Sequence, residues 1–211
     1  MIASASTSTT RSYDAGQIRR DLESALIGKE HDLGAWLDAT GGHRHVAAAR
    51  LKGVGDLDGY LELRLWESAA ELEAGRVERA FAAAREVWVA IDGRVPYPAQ
   101  ALVLSQLAAC SKGRGDFRGA IRAARRAEAL LVAGAGDATP SVLAVRAWLW
   151  RCLEEHGQHA ESVRSRLDRT VTAMQDAMSD DMRWTFLESE TPPHWALVHL
   201  LRWRCVGRRA D

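Results

Sequence analysis

Any chemistry in this chain would have to come from its histidines, cysteines and a few carboxylates, so their spacing decides what is possible. Glu154, Glu155, His156 and His159 gather around Gly157, donors that could approach a divalent cation at a turn. The imidazoles of His43-Arg44-His45 fall on opposite sides of a helix, and His194 and His199 stand five residues apart, poor spacing for one helix face. None of these matches His-Glu-x-x-His or another pattern with firm ligand geometry, so neither a metal nor a cofactor is expected. Cys110, Cys152 and Cys205 are odd in number, far apart and free of any Cys-x-x-Cys pair. Cys110 and Cys152 lie in apolar helical runs and read as small core residues. No serine occupies a Gly-x-Ser-x-Gly elbow, and Gly28-Lys29-Glu30 is no phosphate loop. No catalytic residue stands out.

The 211 residues suffice for one domain with a sizeable core. Ala, Leu and Arg dominate, residues that lose little on entering a helix, and no segment reads as a strand. Lys plus Arg equals Asp plus Glu at 28 each, so no net field draws in nucleic acid or an anionic membrane. The preference for Arg over Lys reflects a GC-rich genome. The Ser/Thr-rich start lacks the basic and apolar regions of a secretory signal, and no apolar run approaches a membrane span. A soluble cytoplasmic protein is expected, with residues 1–13 as a disordered tail and one helical domain over 14–206.

The elements that would position side chains are organised around Gly115 to Ala127 and the apolar run Ala101 to Cys110 before it. Gly115 takes a tight turn between two antiparallel helices, and Ala120, Ala124 and Ala127 form a stripe that lets the second lie close on the first. The same grammar recurs 40 residues earlier at Gly75, with Ala80 and Phe81, and 42 residues later at Gly157, with Ala160 and Val163. Clear repeats are expected over 56–178, with C-terminal capping helices over 179–204. The sequence predicts helices from Asp14 to Leu26, around Leu33–Leu37 with a stop at Gly41-Gly42, and from His43 to Leu51. A helix apolar on most of its circumference starts at Thr139-Pro140. The fold class is all-α, with antiparallel hairpins stacked as a short right-handed α-solenoid.

Gly115, Asp116, Phe117, Ala120 and Ala127 resemble the turn and close-packing positions of tetratricopeptide repeats. The match is partial at Gly75, Ala80 and Phe81 and weaker at Gly157, where Ser162 replaces the first Ala. The repeats exceed the family's usual length of about 34 residues, and Ala108 and Ser111 stand where its Gly-Tyr pair belongs. The chain is thus similar to a divergent, long-repeat variant. Asp180 to Pro192, with Arg183, Phe186 and Leu187, resembles the close of the helical-repeat regions in large bacterial ATPase-type signalling and transcription regulators. That likeness implies a bacterial receiver of an inducer or partner protein, without motor or output domain.

The resemblance implies a concave groove lined by the first helix of each hairpin. Its polar candidates are Arg64, Glu67, Ser68 and Glu71, then Gln100, Ser105 and Gln106, then Arg146. Ser105 and Ala109 replace the family's carboxylate-clamp residues, which argues against chaperone-tail ligands. The expected function is a regulatory adaptor that binds a protein or peptide and no nucleic acid or membrane. An enzyme or small-molecule sensor with a pocket lined by Trp36, His43, His45 and Trp66 stays open beside it, as does a homodimer through the Trp-rich C-terminal cap. Arg118, Arg122, Arg125 and Arg126 form a basic stripe opposite the Ala face, either solvated or facing an acidic partner. Of Trp148 and Trp150, one should fill the core and the other line a groove or interface.

Overall fold

A computed structural model describes residues 14–27, 32–91, 95–137 and 139–174. The tail, the C-terminal capping helices, Cys205, His194, His199, the 180–192 motif and Trp184, Trp195 and Trp203 lie outside them. The described residues form eight helices and no strand: α1 (Ala15–Ile27), α2 (Leu33–Gly53), α3 (Leu57–Glu73), α4 (Val77–Ile91), α5 (Tyr97–Gly113), α6 (Phe117–Ala135), α7 (Pro140–Glu155) and α8 (Glu161–Met174). None is long and apolar enough to cross a membrane.

Four of these helices end in the same hydrogen-bonded turn. After α5 the Gly115 N–H donates to Lys112 O and the Asp116 N–H to Ser111 O, both at 2.9 Å. This pairing needs a left-handed residue at its centre, and Gly115 supplies it at φ 78° without the Cβ clash of other residues. Gly55, Gly75 and Gly157 repeat it after α2, α3 and α7. After Gly55 and Gly115 the next residue caps the following helix. The Asp116 carboxylate accepts from the Gly119 N–H at 2.8 Å, and a Cβ on residue 119 would lie 2.1 Å from that carboxylate. Asp56 caps α3 through the Gly59 N–H in the same way. Lys52–Gly59 and Lys112–Gly119 therefore share one pattern, Lys-Gly-x-Gly-Asp-x-x-Gly, and one joint.

Among the described helices α3 has the most neighbours, packing against α1, α2, α4 and α5. Tyr60, Leu61, Leu65 and Trp66 bury themselves against Ile18, Leu22 and Leu26 of α1 and Leu37 of α2. α5 lies against α3, α4 and α6, and contacts continue from α6 to α7 and from α7 to α8. Alanine occupies many of these contacts: Ala80 and Ala84 in α4, Ala101 and Ala108 in α5, and Ala120, Ala124 and Ala127 in α6 are buried. The apolar circumference of α7 finds neighbours on both sides, α6 and α8.

One expectation needs correcting. Gly41-Gly42 does not stop a helix; α2 runs through the pair from Leu33 to Gly53. Two interior glycines cost about 1 kcal/mol each relative to alanine, and tertiary contacts outweigh that. Leu37, Arg44, Ala47 and Ala48 are buried on one face of α2. The Arg44 guanidinium also reaches back across the glycines to Leu37 O at 2.8 Å and Thr40 Oγ1 at 2.7 Å.

Two substitutions test this packing. Ala120 has no exposed surface, so Ala120→Leu should lower the unfolding free energy by roughly 1–3 kcal/mol through overpacking, read from denaturant midpoints. Phe81 is only half-buried beneath the Arg114 guanidinium, so Phe81→Ala should cost less than the roughly 3–5 kcal/mol of an enclosed phenylalanine.

Candidate functional site

The structure takes most of the eight groove candidates inside. Glu67, Ser68, Glu71, Gln100, Gln106 and Arg146 are buried, and only Arg64 and Ser105 remain partly open. Partners drawn from neighbouring helices explain why.

Arg64, Glu67 and Glu71 belong to an ionic cluster where α2, α3 and α4 meet. Arg44 of α2 donates to Glu67 at 3.0 Å and reaches Glu71 at 3.4 Å. Arg64 bonds both Glu67 and Glu86 of α4, and the Tyr60 hydroxyl donates to Glu86 at 2.7 Å. Burial together with the Glu86 carboxylate pushes the Tyr60 phenol up to about 12. Arg76, before α4, grips Asp38 of α2 with two bonds of 2.7 and 2.8 Å and bonds Gly34 O. Its hydrogen bond holds the Asp38 carboxyl below the ordinary value. Glu71 moves the other way: desolvation raises it despite the opposing charges of Arg44 and Arg76, and its Oε2 has no hydrogen-bond partner among the described residues.

Ser68 and Gln106 form a smaller, neutral link between α3 and α5. The Ser68 hydroxyl donates to Ala80 O at 2.7 Å and accepts from Gln106 Nε2 at 2.9 Å, with Cys110 Sγ 3.7 Å from both groups. Burial pushes the Cys110 thiol up to about 11 against these two hydrogen bonds, the reverse of what a nucleophile needs. Gln100 Nε2 caps Val95 O, and Ser105 bonds the carbonyl of Ala101 in its own helix.

Arg146 anchors a third cluster, joining α6, α7 and α8. Its guanidinium donates to Glu128 at 2.7 Å and bonds Thr170 and Asp137. Arg166 closes on the same Glu128 carboxylate at 3.0 and 3.1 Å. The Asp137 carboxyl is held low by its hydrogen bond from Arg146.

Elsewhere, His43 and His45 face solvent, Trp66 faces the core and Trp36 lies half-buried beneath Arg44. An open polar cleft of about 270 Å³ sits instead at the α7–α8 turn, lined by Trp150, Glu154, Gln158, His159, Glu161 and Arg164. His156 is stacked on Phe117 with ring centroids 4.6 Å apart, and no cluster of three metal-ligating side chains exists among the described residues. Trp148 and Trp150 are both half-buried, so neither takes the core position alone. Arg118, Arg122, Arg125 and Arg126 are all exposed.

Arg44, Tyr60, Glu86, Glu128, Asp137, Arg166 and Thr170 are absent from the sequence-derived candidates. A signal existed for two of them. Glu128 is the one acid of α6 and falls four residues after Ala124, on the buried stripe; Arg44 falls seven after Leu37, on the buried face of α2. A charge in a core register announces a buried partner.

No protein-family model matches the chain, and no curated protein matches it either.

Three measurements check these assignments. Cys110 and Cys152 should resist alkylation at neutral pH until denaturant unfolds the chain, as peptide mapping of the labelled protein would show. Arg146→Met should cost about 3–5 kcal/mol in denaturant unfolding, because it leaves buried acceptors unmatched. Glu71 has its folded pKa above the unfolded one, so its contribution is present below the unfolded value and lost as pH rises through the folded one. Glu71→Gln should therefore gain stability relative to wild type at pH 7, and the gain should vanish once pH falls below the ordinary carboxylate range.

Proposed function

We propose that the chain is a regulatory adaptor: a stack of tetratricopeptide-like helical hairpins that binds a segment of a partner protein along the wall formed by its first helices. The observation that carries this reading is the repetition of one glycine turn at Gly55, Gly75, Gly115 and Gly157, each placing a helix against its predecessor. Repeats of this construction generate a continuous surface rather than a closed pocket. The polar groups of α3, α5 and α7 that could do chemistry are instead used to join helices, as in the Arg44–Glu67 and Arg146–Glu128 pairs. The inert Cys110 thiol points the same way.

On that wall Arg64 and Ser105 keep partial access to solvent. Ser105 makes its hydrogen bond only within α5, so it can be replaced without disturbing another helix. A partner captured by the wild-type protein should be lost with Ser105→Arg while the thermal midpoint stays unchanged. Retention of that partner by both Ser105→Arg and Arg64→Ala would place the contact elsewhere.

A further inference from the structure

The outward side of α6 concentrates exposed arginine. Arg118, Arg122 and Arg125 succeed one another at spacings of four and three residues, on one line of the helix, and all are exposed. Arg126 beside them leans over the Trp88 ring at 5.1 Å. The single acid of α6, Glu128, is turned inward to Arg146 and Arg166. No described acid forms an ion pair with Arg118, Arg122 or Arg125. On a protein with no net charge this is a local concentration of positive charge.

Two further features mark the face. α6, like α1, α2, α5 and α7, has no acidic residue in its first turn, whereas α4 carries Glu78 and α8 carries Glu161. Arg118 sits there instead, three residues after Gly115 as Glu78 is after Gly75, against the positive end of the helix dipole. The placement works against the isolated helix, and the Asp116 carboxylate at the N-cap offsets part of it. The same line then continues through Ala129 and Ala133, both exposed and small enough for another backbone to come close. From Arg118 to Ala133 the strip is about 22 Å long, roughly four helical turns.

We infer that this face docks an acidic amphipathic helix of a partner protein, its carboxylates against the arginines and its small or apolar residues against Ala129 and Ala133. Complementary charge at i, i+4, i+7 spacing is what one helix offers another. Nucleic acid fits less well. Phe117 is stacked on His156 and Trp88 is covered by Arg126, which leaves neither ring free for a base. The site is separate from the α3–α5–α7 wall.

The test uses the whole protein and a fluorescein-labelled helical peptide of about 20 residues, long enough to hold a helix, with three glutamates at i, i+4, i+7 followed by alanines and leucines. Fluorescence anisotropy should show saturable binding that weakens with added salt. Arg122→Glu/Arg125→Glu should weaken it at least about tenfold, while Arg79→Glu and Ser105→Arg leave it intact. Circular dichroism should be unchanged in the double variant, since neither Arg122 nor Arg125 forms an ion pair with a described residue. Absence of saturable binding at about 50 mM salt, or equal binding by the double variant, would overturn the proposal. So would displacement of the peptide by oligouridylate at lower concentration than by unlabelled peptide. A marked gain in affinity from Asp180→Lys/Asp181→Lys would do the same, making the chain's own acidic segment the occupant.

Discussion

Close approach between helices is the condition on which this structure rests. Alanine at Ala80, Ala84, Ala101, Ala108, Ala120, Ala124 and Ala127 removes side-chain bulk from the lines of contact. Neighbouring backbones then come near enough for short polar groups to act between helices. Ser68 can reach Ala80 O, and Gln106 can reach Ser68, because little stands between α3, α4 and α5. Larger residues at those contacts would widen the spacing and leave the same groups buried without partners, which is costly.

The charged clusters impose a different constraint. Dispersion and burial reward many packings of apolar helices almost equally, whereas a buried guanidinium tolerates few. Arg44 must meet Glu67 and Glu71, and Arg146 must meet Glu128 and Asp137. Each cluster draws on three helices. One specifies how α2 sits on α3 and α4, the other how α7 sits between α6 and α8. Between them, α3 and α5 share the neutral link of Ser68, Gln106 and Cys110. The buried guanidinium clusters thus lie toward the two ends of the described chain, while the ion pairs of its middle, Lys112–Glu155 and Arg114–Glu78, are more exposed.

What could be read from the sequence divides along the same line. Helix formation, the glycine turns and the alanine stripes are local, carried by residues a few positions apart, and Gly115 with Ala120, Ala124 and Ala127 announced them. The course of α2 through Gly41-Gly42 was not legible, because it depends on Arg44 and on the surface of α3. The burial of most groove candidates was not legible for the same reason. Polar residues on a helix suggest solvent, yet Glu67, Gln106 and Arg146 find partners 23, 38 and 18 positions away. Only their register against buried alanines and leucines held a clue. The arginine line of α6, by contrast, needs no distant partner to define it and stood in the sequence as it stands on the surface.

The joint shared by Lys52–Gly59 and Lys112–Gly119 has an implication for how such a chain can change. Each copy contains everything its bend requires: the glycine, the two closing bonds and the capping aspartate with its facing glycine. Excising residues 56–115 would splice α2 to α6 through an intact hinge, so the bend itself is modular. The ionic partners are not, since the excision strands Arg44 and removes Ser68 with Gln106. Rearrangement by whole segments is therefore cheap in backbone geometry and limited by which charges are left facing one another.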